Sequence, residues 1–358
     1  MMRTLILLFI SFVICSNVYS QTQQGNQDRS KVNVWGNFFG DYFYKSGGDS
    51  TGNSLQYTQY NKEFNAFAIR RANIGFDYSI NEDFDTRFSI SYDGPDTLSD
   101  GNFAVYVRDA FISWKEIFTN SNLTIGVQPT PGYDFISQKW WGYRSIEQTI
   151  MGQRSILGSR DLGIMLSGVF DKDKDFGYYA MVGNGTGTKL ENNKYKKIYG
   201  TLFGSFVDKK IVSNIYSDYQ SFGNDQSKTT ISAFTGYRNN KVSIGAESFF
   251  QIQNNYNKTN PSINSDIVPF GISVYFNQWI IDSELKYFVR YDFYNENINN
   301  PSTGFYQSFM TAGMDFTPTG TVHFMPNIWM NAYTAKSMQN IKYTTQVVPR
   351  LTFWYEFK

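Results

Sequence analysis

Residues 280–293 read IIDSELKYFVRYDF. In an extended chain successive side chains point to opposite faces. Ile281, Leu285, Tyr287, Val289, Tyr291 and Phe293 therefore share one side, and Asp282, Glu284, Lys286, Arg290 and Asp292 the other. A soluble sheet would turn the first set to a core and the second to water. A membrane barrel does the reverse, with the apolar set against lipid and the charged set lining a wet lumen. The stretch satisfies both arrangements, so the rest of the chain has to choose.

The N-terminus, MMRTLILLFISFVICSNVYSQ, has one Arg, an apolar run from Leu5 to Cys15, and small residues suited to cleavage after Ser20. That layout predicts a secretory signal peptide over 1–20, because the run is shorter than the roughly 20 residues of a spanning helix. A polar lead-in, 21–30, follows. Removing 1–20 takes away the only cysteine and one of 32 basic side chains, leaving as many basic as acidic residues in the mature chain. A neutral chain lacks the basic excess that a nucleic-acid partner favours. An exported, cysteine-free chain must be held by backbone pairing and packing alone. With 26 Tyr, 32 Phe and 7 Trp against one His, the composition is rich in aromatics and poor in the commonest catalytic base.

Period-two alternation recurs along the whole chain, and no long window has the 3.6 period of an amphipathic helix. The chain is predicted to be all-β, with about sixteen segments. In 69–80, Ala72, Ile74, Phe76, Tyr78 and Ile80 oppose Arg71, Asn73, Gly75, Asp77 and Ser79; 343–357 repeats the pattern. Most segments reach ten residues, longer than the usual soluble strand and long enough for a tilted crossing of a bilayer. The connections alternate between long ones and short ones such as INED (80–83), KDKD (172–175) and TPTG (317–320), as in outer-membrane barrels. The prediction is a transmembrane antiparallel β-barrel over 31–358, both termini on the short-turn side, in contact with outer-membrane lipid. The opening stretch then resolves: Leu285 faces lipid, and Asp282, Glu284, Lys286 and Arg290 join Arg71 on the lumen wall. Trp279, Tyr291 and Phe293 are expected in interfacial girdles. Pro269, Pro326 and Pro349 fall inside expected strands, where a lost ladder donor predicts bulges or shifted boundaries. Segments 198–208 and 211–219 alternate poorly.

The third long connection, 129–160, carries Lys139, Arg144, Arg154 and Arg160 against Asp134 and Glu147. It holds too many aromatic and aliphatic residues to be freely solvated, so it is expected to fold inward on the barrel wall and narrow the pore. Charge at a constriction sets selectivity, which makes these four basic residues the candidate constriction site. Arg144 and Arg154 lead, because guanidinium forks suit phosphate and carboxylate oxygens. The expected function is a water-filled channel for passive diffusion of small polar or anionic solutes, with a modest preference for anions. The alternative is a plugged structural or secretion-associated barrel that binds partner proteins.

In order along nearly the whole mature chain, RRANIGFDYSI (70–80), VRDAFISW (107–114), TIGVQPTPGYDF (124–135), RSILGSRDLGIMLSG (154–168), YYAMVGNGTG (178–187) and VRYDFYNEN (289–297) resemble the phosphate-selective porins of the O and P type. The resemblance implies a sixteen-stranded outer-membrane porin that is a homotrimer and passes small anions such as phosphate. Of that family's inward Arg ladder and Lys cluster, only the loop arginines are matched here.

Other chemistries find little support. His323, in TVHFMPNIW (321–329), shares a face with Thr321 and Asn327, but no nucleophile and base stand at recognisable spacing. No His and Cys cluster suggests zinc. GNGTG (183–187) ends a strand without opening a helix and lacks a P-loop lysine, so it reads as a turn. No catalytic residue, metal or cofactor is expected.

Overall fold

The computed structural model describes residues 32–51, 55–133, 135–256 and 266–358. The expected signal peptide and lead-in, and Asp134 in the long loop, lie outside the described residues. The described residues form sixteen strands: β1 (Val32–Tyr44), β2 (Asn65–Ser79), β3 (Phe84–Thr97), β4 (Phe103–Phe118), β5 (Ser121–Pro129), β6 (Arg160–Val169), β7 (Phe176–Gly183) and β8 (Lys197–Phe206). They continue with β9 (Ile211–Gly223), β10 (Gln226–Arg238), β11 (Val242–Asn254), β12 (Phe270–Ile281), β13 (Leu285–Asn295), β14 (Phe305–Phe316), β15 (Val322–Ala335) and β16 (Gln346–Phe357). Each pairs antiparallel with its sequence neighbours. β16 pairs with β1 from Gly36–Phe357 to Phe43–Arg350, which closes the barrel and leaves no free edge.

The two faces decide what surrounds the barrel. On β13 Val289 and Tyr291 are exposed, while Phe288, Arg290 and Asp292 are buried. On β2 Ile74 is 50% exposed, whereas Arg71 and Asn73 are each 6% exposed. On β16 Leu351 lies outside and Arg350 and Thr352 inside. Charged residues inside and apolar residues outside invert the pattern of a soluble sheet and match a lipid-facing barrel.

The turn between β12 and β13 departs from expectation. β12 continues to Ile281 and the chain reverses over 282–284, with Ser283 at φ 67°. Asp282 and Glu284 are thus exposed in a short turn and are not part of the lumen wall. Asp-Ser-Glu supplies the short polar side chains that a tight turn favours, and the apolar run through Ile280 hid the reversal. This shift also moves Trp279 inward, opposite Lys286, out of the expected girdle.

The prolines resolve in two ways. Pro269 precedes β12. Pro326 and Pro349 sit within β15 and β16, facing Leu351 and Ile328 with no shift between those strands. Their missing donors show on the opposite sides: the β14–β15 ladder skips Met314 and Asp315, and the β1–β16 ladder stops at Phe43–Arg350. β9 and β10 also extend further than expected. Asn224 and Asp225, at φ 50° and 60°, join them as a two-residue hairpin where a longer loop was expected.

Candidate constriction site

The loop 130–159 leaves β5 and returns to β6 at a narrow neck. There the Thr130 amide donates to the Ser159 carbonyl at 3.2 Å and its hydroxyl to the Gly158 carbonyl at 2.7 Å. Between these points the chain enters the lumen as two short helices, α1 (Ser137–Trp141) and α2 (Ile150–Gln153). Gly142 ends α1 at φ 75°, donating to the Gln138 carbonyl, a left-handed cap that glycine adopts without steric cost. At Gly132 a Cβ would come within 2.7 Å of Leu157 and Tyr216, so a bare backbone lets the loop approach the wall.

Apolar side chains bind the loop to the wall in two clusters. Tyr133, Ile150, Met151, Ile156 and Leu157 pack on Met165, Met181, Tyr199, Tyr216 and Phe249. Trp141, Tyr143 and Ile146 pack on Val212, Phe234, Tyr275, Phe288 and Met325. A third cluster brings Leu55 and Tyr57 of the β1–β2 connection onto Phe43, Phe309, Trp329 and Val348. Burial on this scale, at about 25 cal/mol per Å² of apolar surface, explains why so apolar a loop folds inward. It also explains the poor alternation of β8 and β9: Tyr199, Val212 and Tyr216 face the lumen because the loop covers them.

The irregular backbone at the loop's centre needs donors, since buried carbonyls must be satisfied. Four successive ones are. Arg70 donates to the Ser145 carbonyl, Arg350 to that of Ile146 at 2.8 Å, Trp141 Nε1 to that of Glu147 at 2.9 Å, and Arg290 to that of Gln148. The arginines are fixed in turn by carboxylates. Asp41 accepts from Arg70, from the Tyr57 hydroxyl at 2.6 Å and from Thr352 at 2.5 Å, and lies 3.9 Å from Arg350. Asp292 accepts from Arg290 at 2.8 Å. Glu147 accepts from Trp329 Nε1 at 3.1 Å.

The candidate residues separate into distinct settings. Arg71 is ion-paired with Asp93, and Arg160, at the start of β6, with Asp109 at 2.6 Å. Lys139 is exposed at the short-turn end, its carbonyl accepting from Arg238 at 3.3 Å. Lys286 lies inside, 4.0 Å above the Trp279 ring. Arg144 and Arg154 have no carboxylate partner among the described residues. Arg144 lies 5.8 Å from the Phe39 ring, which Arg70 and Arg71 also approach, at 5.1 and 5.8 Å, and its Nε has no hydrogen-bond partner. Burial, then the like charge of Arg71, lowers its pKa. Arg154 instead meets neutral groups: Gln307 at 2.7 Å, Asn331 at 3.2 Å and the Tyr294 ring at 4.7 Å.

Sequence reasoning missed Arg70. Strict alternation placed only Arg71 inside, but the β1–β2 register shifts between Phe39 and Gly40 and leaves Arg70 as the extra residue on β2. A bulge of this kind lets adjacent residues share a face. The signal was present, since of two consecutive arginines in a membrane strand one would otherwise meet lipid.

No family profile and no curated protein matches this sequence. Solved structures match it in fold. The outer membrane channel DcaP of Acinetobacter baumannii aligns with a TM-score of 0.64 at 11% identity, covering 94% of this chain and 100% of its own. The anion-selective porin from Comamonas acidovorans aligns at 0.62 and 10% identity, covering 92% and 100%. The trimer form of OmpT from Vibrio cholerae aligns at 0.59 and 13% identity, over 92% and 100%. The chain therefore has the closed sixteen-stranded fold of the outer-membrane porins.

Proposed function

We propose that the chain is a bacterial outer-membrane porin, exported on a signal peptide over 1–20 and assembled as a homotrimer, that passes small solutes with a modest preference for anions such as phosphate. The observation that carries the anion preference is that Arg144 and Arg154 form no ion pair with a carboxylate among the described residues, whereas Arg71, Arg160 and Arg290 are each paired with one. Paired cations present little field to a passing ion. Unpaired ones act at short range in a narrow path, within a Debye length of about 8 Å at physiological salt. Support for the trimer comes from the trimeric OmpT likeness, and for phosphate from the O and P type resemblance. Catalysis is not proposed: His323 bonds Asp315 at 2.8 Å and Thr317 at 3.2 Å and stacks on Trp354.

A salt gradient across a planar bilayer tests this reading. The reversal potential should show anion preference in the parent protein, reduced in the double variant Arg144→Ala/Arg154→Ala. Cation preference in the parent, or an unchanged double variant, would defeat it. A second reading, the plugged barrel, is favoured by the breadth of the loop's contacts, which reach both β2 and β16. Folded, heat-modifiable protein without stable openings would establish that reading instead.

A further inference from the structure

Beneath the loop, at the short-turn mouth, the inner wall and α1 enclose a recess of about 300 Å³, at the small end of the range for ligand sites. Strand parity sets its lining, since the inward positions beside two short turns supply Arg238 at the end of β10 and the paired Trp279 and Lys286 on either side of the β12–β13 turn, and the β10–β11 turn adds Lys241. Lys139 enters from α1. These four cations, Lys139, Arg238, Lys241 and Lys286, make no ion pair among the described residues. The carboxylate in the lining, Asp315, is engaged by His323 at 2.8 Å. Flat rings stand beside the charges: Lys286 Nζ sits 4.0 Å from the centroid of Trp279, and the Arg238 guanidinium 4.4 Å from that of Trp140. Trp140, Trp279 and Trp354 are all partly exposed.

We propose that this recess binds an organic anion carrying a flat ring. A carboxylate or phosphate is drawn by four like-signed charges that face one carboxylate, Asp315, and form no ion pair with it. A planar ring finds indole faces to stack on, in the offset or edge-on arrangements that aromatic pairs prefer. A small inorganic anion would use only the first of these features and an uncharged ring only the second. Neither Arg144 nor Arg154 lines the recess, so its occupancy does not depend on the constriction reading.

The test is equilibrium quenching of tryptophan fluorescence in the full-length folded protein in detergent, at constant ionic strength, with benzoate as probe. No flux is measured, so failure of the porin reading leaves the result intact. Benzoate should quench saturably and more tightly than cyclohexanecarboxylate, acetate or inorganic phosphate. Lys241→Gln/Lys286→Gln should weaken benzoate by about fivefold, in line with loss of two partly exposed charge contacts. Trp279→Leu should bring benzoate and cyclohexanecarboxylate to similar affinity, with heat-modifiability confirming that each variant is folded. Equal binding of benzoate and cyclohexanecarboxylate by the parent would overturn the proposal. So would undiminished benzoate binding in the double lysine variant, or loss of binding in Arg144→Ala/Arg154→Ala alone.

Discussion

Asp41 shows how single residues hold this lumen together. It is fully buried and is shared by two arginines, each of which also holds a loop carbonyl. Replacing it with Asn removes the charge that both guanidinium groups need. Breaking a buried ion pair from one side costs about 3–5 kcal/mol because the remaining charge is stranded. Asp41→Asn should therefore lower the temperature at which the folded band converts to the unfolded one on a gel. Asp77→Asn should shift it far less, because Asp77 and its partner Arg87 are each more than a third exposed and such pairs contribute little. Equal shifts for the two variants would remove Asp41 from its central place.

At the scale of elements, the inward loop behaves as a separate layer fastened to the wall. Trp141 is 1% exposed and touches Tyr143, Tyr275 and Phe288. Truncating such a ring costs about 3–5 kcal/mol, concentrated in one end of the loop. Trp141→Ala should leave the barrel folded and raise single-channel conductance and current noise; an unchanged conductance would mean that α1 does not line the conducting path. The loop itself was legible in the sequence almost to the residue, because an apolar stretch without period two cannot be a strand and cannot be left in water. The strands beneath it were less so. Tyr199 and Tyr216 break the alternation of β8 and β9 because an apolar partner covers them from within, and a single-strand pattern does not reveal that partner. Arg70 was hidden by a bulge, and Asp282 and Glu284 by a turn that interrupts no apolar run. Each miss is a case where a tertiary feature absent from a linear reading, whether a covering loop, a strand bulge or a turn, chose the face.

For the whole molecule, the short turns lie at one end and, apart from the β3–β4 and β9–β10 connections, the long loops lie at the other, and residues 21–358 contain no cysteine. Single cysteines therefore report sidedness cleanly. Asn192→Cys and Asn299→Cys, on exposed long loops, should react with an impermeant maleimide on intact cells, whereas Asp83→Cys and Lys174→Cys should react only after the outer membrane is opened. Equal labelling of the two sets would reverse or abolish the orientation. The same orientation places the recess lined by Lys241 and Lys286 toward the periplasm, so an anion added from that side should reach it without crossing the loop.

The loop's centre is gripped by its carbonyls at 145–148, groups that every amino acid carries. That grip is independent of the side chain at each of these four positions, while the packing of Ile146 and the Glu147 carboxylate fix the loop in addition. Gln148, which is half-buried, can be exchanged for residues of other size or charge while Arg290 goes on holding the same oxygen. Such a scaffold can change what it admits without re-solving how it folds, and a library randomised at 148 should yield mostly folded barrels that differ in the solutes they pass.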